Sequence, residues 1–212
     1  MLRTHRVNKP MTIAIEHPQQ IADRTRTIQG GWDKFRLIQS AFDGTQGIRL
    51  FYFDGEIEIL MPSKLHEIFS HVLGVLLTNF LAYQGILFLG MGTADQEKEG
   101  ISSAQPDQSY CIGKQKKIPD LSIEIVFTSG GAKKLQRYRA IGIPEVWFWE
   151  DGVLRLYRLR ENGYEKIQQS ELEGLCNLDL DVLKRHMLMA ETDLGAAVRS
   201  FNAYIFEVQV GR

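Results

Sequence analysis

Cysteine is scarce in this chain, and so are the long apolar runs that a membrane protein needs. Cys111 and Cys176 are the only two cysteines among 212 residues, too few for the disulfide framework of a small secreted scaffold. No uninterrupted apolar run approaches the roughly 18 residues that span a bilayer, and the amino terminus lacks the apolar stretch of a secretory signal. We therefore expect a cytoplasmic protein with no membrane partner.

An excess of one charge is also missing. The 25 basic and 26 acidic residues give a formal net charge of −1, whereas a domain with a large nucleic-acid-binding face is usually strongly basic. The glycine-rich spacing of a nucleotide-binding P-loop is absent, and so are internal repeats and low-complexity stretches. A hydrophobic content of 44% suits a soluble globular protein with one sizeable core.

The candidate chemistry lies between residues 106 and 134. Asp107 follows a proline, Glu124 lies in an apolar run, and Lys134 comes early in a segment with helical character. Carboxylate oxygens bind hard cations such as Mg²⁺, and a lysine amine can stabilise the charge on a phosphate. Two acids and one lysine are therefore the groups that a metal-dependent phosphodiesterase uses.

The run from Asp120 to Phe127 reads as a buried strand with Glu124 on its less apolar face. Residues two apart in a strand share a face. A charge on such a strand is costly unless it is paired or bound to a metal. One face carries Leu121, Ile123, Ile125 and Phe127, and the other carries Ser122, Glu124 and Val126.

Pro-Asp occurs twice, so the partner of Glu124 has to be chosen. Asp120 is four residues before Glu124 on the same predicted strand, which separates their Cα atoms by roughly 13 Å. Two short carboxylates that far apart cannot both bind one ion at about 2.1 Å. Asp107 lies on the preceding predicted strand and could be a neighbour across the sheet. We therefore choose Asp107 and assign Asp120 to the start of a strand.

Basic residues near these acids are open to two interpretations. They could form a solvated loop and helix face, or a rim that attracts phosphate. The set comprises Lys114, Lys116, Lys117, Lys133, Lys134, Arg137 and Arg139.

Turn and periodicity signals predict an α/β fold. Asp54-Gly55 between two apolar runs predicts an antiparallel hairpin, since both central residues of such a turn need positive φ. An apolar stripe at helical spacing predicts a long helix over about 63–83, and a second helix is predicted over 132–141. We expect a mixed β-sheet core flanked by helices, with an N-terminal hairpin and C-terminal helices at 178–189 and 194–206.

Three segments follow from this pattern. Residues 1–30 lack periodicity and are rich in arginine, which predicts a mobile basic arm. Residues 31–190 form the predicted domain, and residues 191–212 form a C-terminal helical extension. The apolar character of 194–206 also predicts a homodimer, because closed two-fold dimers are the commonest soluble oligomers.

The order and spacing of several short motifs resemble the PD-(D/E)XK nuclease superfamily, and more closely its restriction-endonuclease-like Uma-two family. The resemblance covers about residues 32–185. It depends on Asp54-Gly55-Glu56, Met61-Pro62-Ser63, His66, Pro106-Asp107, Pro119-Asp120, Glu124, Thr128-Ser129, Lys134 with Tyr138, and Gly142-Ile143-Pro144-Glu145-Val146-Trp147.

One departure from the superfamily pattern affects the lysine. The superfamily places it two residues after the second acid, where this chain has Val126. In this branch the lysine looks displaced to the following helix, and Lys134 matches that position, with Lys133 as the neighbouring candidate.

The resemblance implies a restriction-endonuclease-like core that binds Mg²⁺ or Mn²⁺ and cleaves nucleic acid, with DNA as the first candidate substrate. Asp107 and Glu124 would bind the metal, with the carbonyl of Ile125 as a third ligand. Lys134 would stabilise phosphate charge. His66 is either a surface or core-edge histidine, or an accessory acid or base beside the metal, as in the related family. The alternative is a catalytically inactive binding or regulatory protein on the same scaffold.

Overall fold

The structure is a computed structural model that describes residues 22–127 and 131–210. In chain order its elements are β1 (Arg24–Gln29), α1 (Trp32–Ala41), β2 (Arg49–Phe53), β3 (Glu56–Met61), α2 (Lys64–Tyr83), β4 (Phe88–Gly90), β5 (Gln96–Lys98), β6 (Ser102–Ala104), β7 (Gln108–Ile112), β8 (Leu121–Val126), α3 (Gly131–Ile141), β9 (Glu145–Glu150), β10 (Val153–Arg160), β11 (Gly163–Ile167), α4 (Leu180–Met189) and α5 (Leu194–Val210).

The strands form two sheets. The first has the order β1-β3-β2-β6-β5 and is antiparallel throughout. The second has the order β11-β10-β9-β8-β7-β4, and its β8 and β9 are parallel while its other pairs are antiparallel. A parallel pair needs a crossover, and α3 supplies it. The predicted α/β fold with a mixed sheet and flanking helices is confirmed.

The predicted hairpin between β2 and β3 is antiparallel and has a two-residue turn. Asp54 has φ of 50° and Gly55 has φ of 75°. Both values are positive, as the right-handed twist of the flanking strands requires. The Asp-Gly signal therefore predicted this turn correctly.

The second sheet lies between two layers. Its β8 residues Ile123 and Ile125 pack in the largest core cluster, which also holds the apolar side chains of α2, α4 and α5. Val126 packs on the opposite face with Tyr138 of α3 and Phe51 of the first sheet. The predicted alternation of the β8 side chains is confirmed.

Helix α2 is long and apolar enough to cross a membrane by length and composition alone, and half of its most apolar stretch is buried inside the protein. Leu73, Leu76 and Leu77 are fully buried in the core cluster that α2 shares with β8. Core packing therefore accounts for the apolar composition of α2. Core helices of soluble proteins can be equally long and apolar.

The structure differs from the predicted arm at residues 1–30. Residues 24–29 form β1, which pairs with β3 from Arg24 opposite Met61 to Gln29 opposite Glu56. The strand lies at the edge of its sheet, and only Ile28 within it is half-buried, so the sequence carries almost no apolar alternation to detect. The rest of the predicted arm, residues 1–21, lies outside the described residues.

Helix α5 also differs from its predicted role as an extension. Ala197, Phe201 and Ile205 are buried in the core cluster shared with α2 and α4. Three of the apolar residues in the segment that suggested a dimer therefore cover this chain's own core. The homodimer stays a prediction.

Replacing Phe201 with alanine tests whether α5 belongs to the core. Phe201 is 0% exposed, so Phe201→Ala should lower the free energy of unfolding by about 3–5 kcal/mol. The matched control is Phe206→Ala on the same helix, because Phe206 is 58% exposed and its loss should cost less than about 0.5 kcal/mol. Urea denaturation measures both, and equal losses would contradict the packing described.

Candidate metal and phosphate site

Asp107 lies immediately before β7, where the β7–β8 ladder ends. Its backbone N–H donates to the carbonyl of Ile123 at 3.0 Å, and its Oδ2 accepts from the N–H of Ile125 at 2.8 Å. β7 offers no further backbone partner beyond this point, and the Asp107 side chain accepts the hydrogen bond of the Ile125 N–H instead. This puts its buried carboxylate beside the β8 residue that follows Glu124.

Glu124 projects from β8 towards α3 and is completely buried. Its Oε1 accepts a hydrogen bond from the Tyr138 hydroxyl, and its Oε2 has no hydrogen-bond partner among the described residues. Burial raises the pKa of Glu124 above its usual range; Lys134, Tyr138 and Arg137 lower it, and the Asp107 charge raises it further. Asp107 contacts the N–H of Ile125, the residue after Glu124, so the two predicted carboxylates lie at the same end of β8.

Lys134 places a cation beside Glu124. Its Nζ lies 3.6 Å from Glu124 Oε2, and its side chain is 11% exposed. The preceding Lys133 is 80% exposed and lies 3.6 Å from Glu56 instead. Consecutive helix residues point about 100° apart, so only one of the two lysines can face the sheet. Val126, at the superfamily's usual lysine position, is buried in the apolar cluster with Tyr138.

His66 is neither a surface nor a core-edge residue. Its ring is completely buried, with Nε2 at 2.8 Å from Asp107 Oδ1 and Nδ1 at 2.8 Å from Asp23 Oδ2. Burial alone would lower the pKa of His66, but hydrogen bonds to Asp107 and Asp23 and their charges raise it to about 9. The ring therefore bridges two carboxylates.

Asp23 was missed by the sequence analysis. Its Oδ1 accepts from the N–H of Ser63 at 2.7 Å, while its Oδ2 contacts His66. Burial opposes ionisation, yet the hydrogen bonds from His66 and Ser63 leave the pKa of Asp23 below its usual value. An isolated acid 43 residues before its partner, in a segment without periodicity, gives no local signal of this contact.

Arg49 is a second residue that the sequence did not reveal. It lies on β2, with Nε 3.7 Å from Asp107 Oδ1 and Nη2 3.0 Å from Glu67 Oε1. A cavity of about 850 Å³ is lined by Arg49, Glu67 and Gln105 among others. Arg49 therefore lies between this cavity and the Asp107 carboxylate.

Asp120 lies at the other end of β8. Its Oδ2 accepts from the N–H of Ile112 at 2.8 Å, and Lys116 Nζ lies 2.7 Å away. Lys114 and Lys117 belong to the same β7–β8 connection, and Asp120 at the end of that connection is roughly 16 Å from Ile125 at 3.3 Å per residue. The basic residues therefore do not all surround the two acids, because Lys116 pairs with Asp120 at the opposite end of β8.

The donors at this site suit a hard cation. A strand residue directs its N–H and its C=O to the same side, so the Ile125 carbonyl faces the Asp107 side where β7 has ended. With the unbonded Glu124 Oε2 and the Asp107 carboxylate, this makes an all-oxygen set of the kind that Mg²⁺ prefers. Among the described residues no three histidine, cysteine or acidic side chains form a metal-binding group, so a carbonyl and water would have to complete the set.

A mixed sheet with a helix-bridged parallel pair, a buried glutamate paired with a helix-borne lysine and a second buried carboxylate one strand residue away are the features of a restriction-endonuclease-like α/β domain. The sequence model of one family matches residues 32–187, and that family is described as Uma2, putative restriction endonuclease. The chain belongs to this family, which is the Uma-two family of the sequence resemblance.

A solved structure described as a putative nuclease belonging to DUF820, from Anabaena variabilis ATCC 29413, is 18% identical and covers 65% of this chain and 90% of its own, with a TM-score of 0.48. No curated protein matches the chain.

Asp120→Ala tests the structural assignment of this second Pro-Asp. The change leaves the Ile112 N–H without its acceptor, which should lower the free energy of unfolding by about 1–3 kcal/mol. Chemical denaturation measures the loss. A variant as stable as the wild type would mean that Asp120 does not organise the β7–β8 turn.

Proposed function

We propose that this protein is a metal-dependent phosphodiesterase that cleaves nucleic acid, with DNA as the first candidate substrate. The observation that carries the proposal is the convergence of Lys134 from α3 on Glu124, one residue from the Asp107 contact on β8. Two acids and an amine at the end of a central strand are the groups this chemistry needs. Membership of a family described as putative restriction endonucleases supports the same reaction class.

Asp107, Glu124 and the Ile125 carbonyl would hold Mg²⁺ or Mn²⁺. A divalent ion bound there would polarise a phosphate oxygen and lower the pKa of a bound water. Tyr138 fixes one Glu124 oxygen and leaves the other directed towards Lys134.

Lys134 would act on the substrate. Its amine is a compact point charge on a flexible stem, so it can leave Glu124 and contact a phosphate oxygen once a metal balances the carboxylate. There it would stabilise the charge that builds up on the phosphate and help to orient the attacking water. His66 is bonded at both ring nitrogens, which favours holding Asp107 in place over acting as an acid or base.

A non-catalytic binding protein on the same scaffold is the second candidate. The observation in its favour is burial: Asp107 is 2% exposed and Glu124 is 0% exposed, and Arg49 and Lys134 already neutralise part of their charge. A phosphodiester can reach these acids only if the two cations move. Metal binding separates the two candidates, because a scaffold without catalytic function has no need to retain it.

Asp107→Ala and Glu124→Ala should each abolish Mn²⁺ binding, measured by calorimetry on the folded protein. Each change removes one of the two carboxylates, and a hard cation held by a single carboxylate is retained weakly. Asp120→Ala is the control and should bind Mn²⁺ as the wild type does. If Asp120→Ala abolishes binding while Asp107→Ala does not, the wrong Pro-Asp has been chosen.

Lys134→Ala should separate catalysis from metal binding. Cleavage of duplex or single-stranded DNA with Mg²⁺ should fall by roughly 10², the usual cost of losing one preorganised electrostatic donor. Mn²⁺ affinity should stay the same or rise slightly, because a positive charge beside the site is lost.

The matched control is Lys133→Ala on the same helix, since Lys133 is 80% exposed and contacts Glu56. Its cleavage rate should stay within a few-fold of the wild type. Equal losses in the two lysine variants would mean that α3 contributes only general positive charge, and the assigned role of Lys134 would be wrong.

A further inference from the structure

We propose that Asp23 is a positioning residue for the Asp107 carboxylate and acts on it through the His66 ring. Asp23 lies just before β1, outside the segment matched by the family model. A continuous line of hydrogen bonds runs from it to Asp107, with 2.8 Å from Asp23 Oδ2 to His66 Nδ1 and 2.8 Å from His66 Nε2 to Asp107 Oδ1.

The far end of this line is fixed by the start of α2. Asp23 Oδ1 accepts from the N–H of Ser63, and the Ser63 hydroxyl accepts from the N–H of His66 at 3.2 Å. Ser63 caps the helix, so His66 is held both through its backbone and through its ring. Asp23 therefore cannot move without disturbing the orientation of the ring.

The other end of the line is Asp107, the proposed metal ligand. Asp107 has one oxygen on His66 and the other on the Ile125 N–H, so the plane of the carboxylate is set by these two contacts. All three side chains are nearly inaccessible, with exposures of 3% for Asp23, 0% for His66 and 1% for Asp107. Water cannot readily replace a lost partner there, and hydrogen-bonded groups behind a metal ligand are known to set its orientation.

A purely structural role would not need this arrangement. A helix start needs one capping acceptor, and the Ser63 hydroxyl already supplies one. The second oxygen of Asp23 is used instead on a ring whose other nitrogen contacts the carboxylate next to Glu124. Asp23 therefore contributes to the site by holding Asp107 through His66.

The Ile125 amide reports on this without any metal. Its N–H donates to Asp107 Oδ2, so hydrogen exchange at Ile125 rises if the carboxylate loses its fixed orientation. The amide of Val126, a residue paired with Glu150 on β9, serves as the internal reference. Both are measured by NMR on the full chain.

Asp23→Asn is the test variant, because it keeps an acceptor for the Ser63 N–H while removing the carboxylate from His66. Exchange at Ile125 should become faster by roughly tenfold, as expected for weakening one charge-assisted hydrogen bond, and exchange at Val126 should stay unchanged. Mn²⁺ affinity by calorimetry should weaken by about 10- to 100-fold. Asp23→Ser gives the same test if the asparagine variant does not fold.

The matched control is Asp179→Asn. Asp179 also caps a helix through one oxygen, which accepts from the N–H groups of Asp181 and Val182 of α4. It should leave Ile125 exchange and Mn²⁺ affinity as in the wild type. A double-mutant cycle with His66→Gln adds a second check, since Asp23→Asn should have no further effect once the ring is gone.

The metal measurement depends on the proposed function, whereas the amide measurement does not. If the wild type binds no Mn²⁺ but Ile125 exchange still responds to Asp23→Asn, the proposed function fails and the positioning role stands. Unchanged Ile125 exchange in a folded Asp23→Asn protein would overturn the positioning role. So would an equal response in Asp179→Asn, or a full effect of Asp23→Asn in the His66→Gln background.

Discussion

The burial of the Glu124 carboxylate in the second sheet is the constraint on which the arrangement around it depends. An ionised group inside a protein is costly unless it is paired and hydrogen-bonded. Both partners, Lys134 and Tyr138, come from α3, which must therefore cross that face of the sheet. The parallel pairing of β8 and β9 makes a crossover at this place necessary. Local charge compensation and chain topology thus call for the same helix.

The same helix joins the two sheets. Arg137 donates to Glu58 of β3 at 2.6 Å, and its guanidinium lies 4.3 Å from the centre of the Phe51 ring of β2. Because α3 holds the first sheet in place, Arg49 of β2 also lies beside Asp107. On the other face of the second sheet, α2 brings His66 to the same carboxylate. The two acids are thus held from opposite sides of one sheet, and the site requires both layers.

Local signals in the sequence were sufficient for several of the elements and for choosing Asp107 and Glu124 as the candidate acids. The Asp-Gly turn, the apolar stripe of α2 and the alternation along β8 each follow from residues adjacent in the chain. Asp107 and Glu124 could be paired because strand spacing excluded Asp120 by distance. The choice of Lys134 over Lys133 depended on which side of α3 faces the sheet. Periodicity alone did not determine that side, and the family resemblance favoured Lys134.

The residues that the sequence missed are connected by long-range contacts. Asp23 lies 43 positions before His66 in the sequence, and Arg49 lies 58 positions before Asp107. Nothing adjacent to either residue in the sequence marks it as part of the site. β1 was missed for a related reason, because an exposed edge strand has no buried face to impose alternation. The burial of α5 depended on which surface it would cover, which its own apolar stripe does not specify.

Anomalous diffraction from crystals soaked in Mn²⁺ is the most direct test of the metal site. The account predicts one manganese peak about 2.1 Å from oxygens of Asp107 and Glu124 and from the Ile125 carbonyl, with the Lys134 amine displaced from Glu124. A peak at Asp120, or no peak at saturating Mn²⁺ with Lys134 still paired to Glu124, would contradict it.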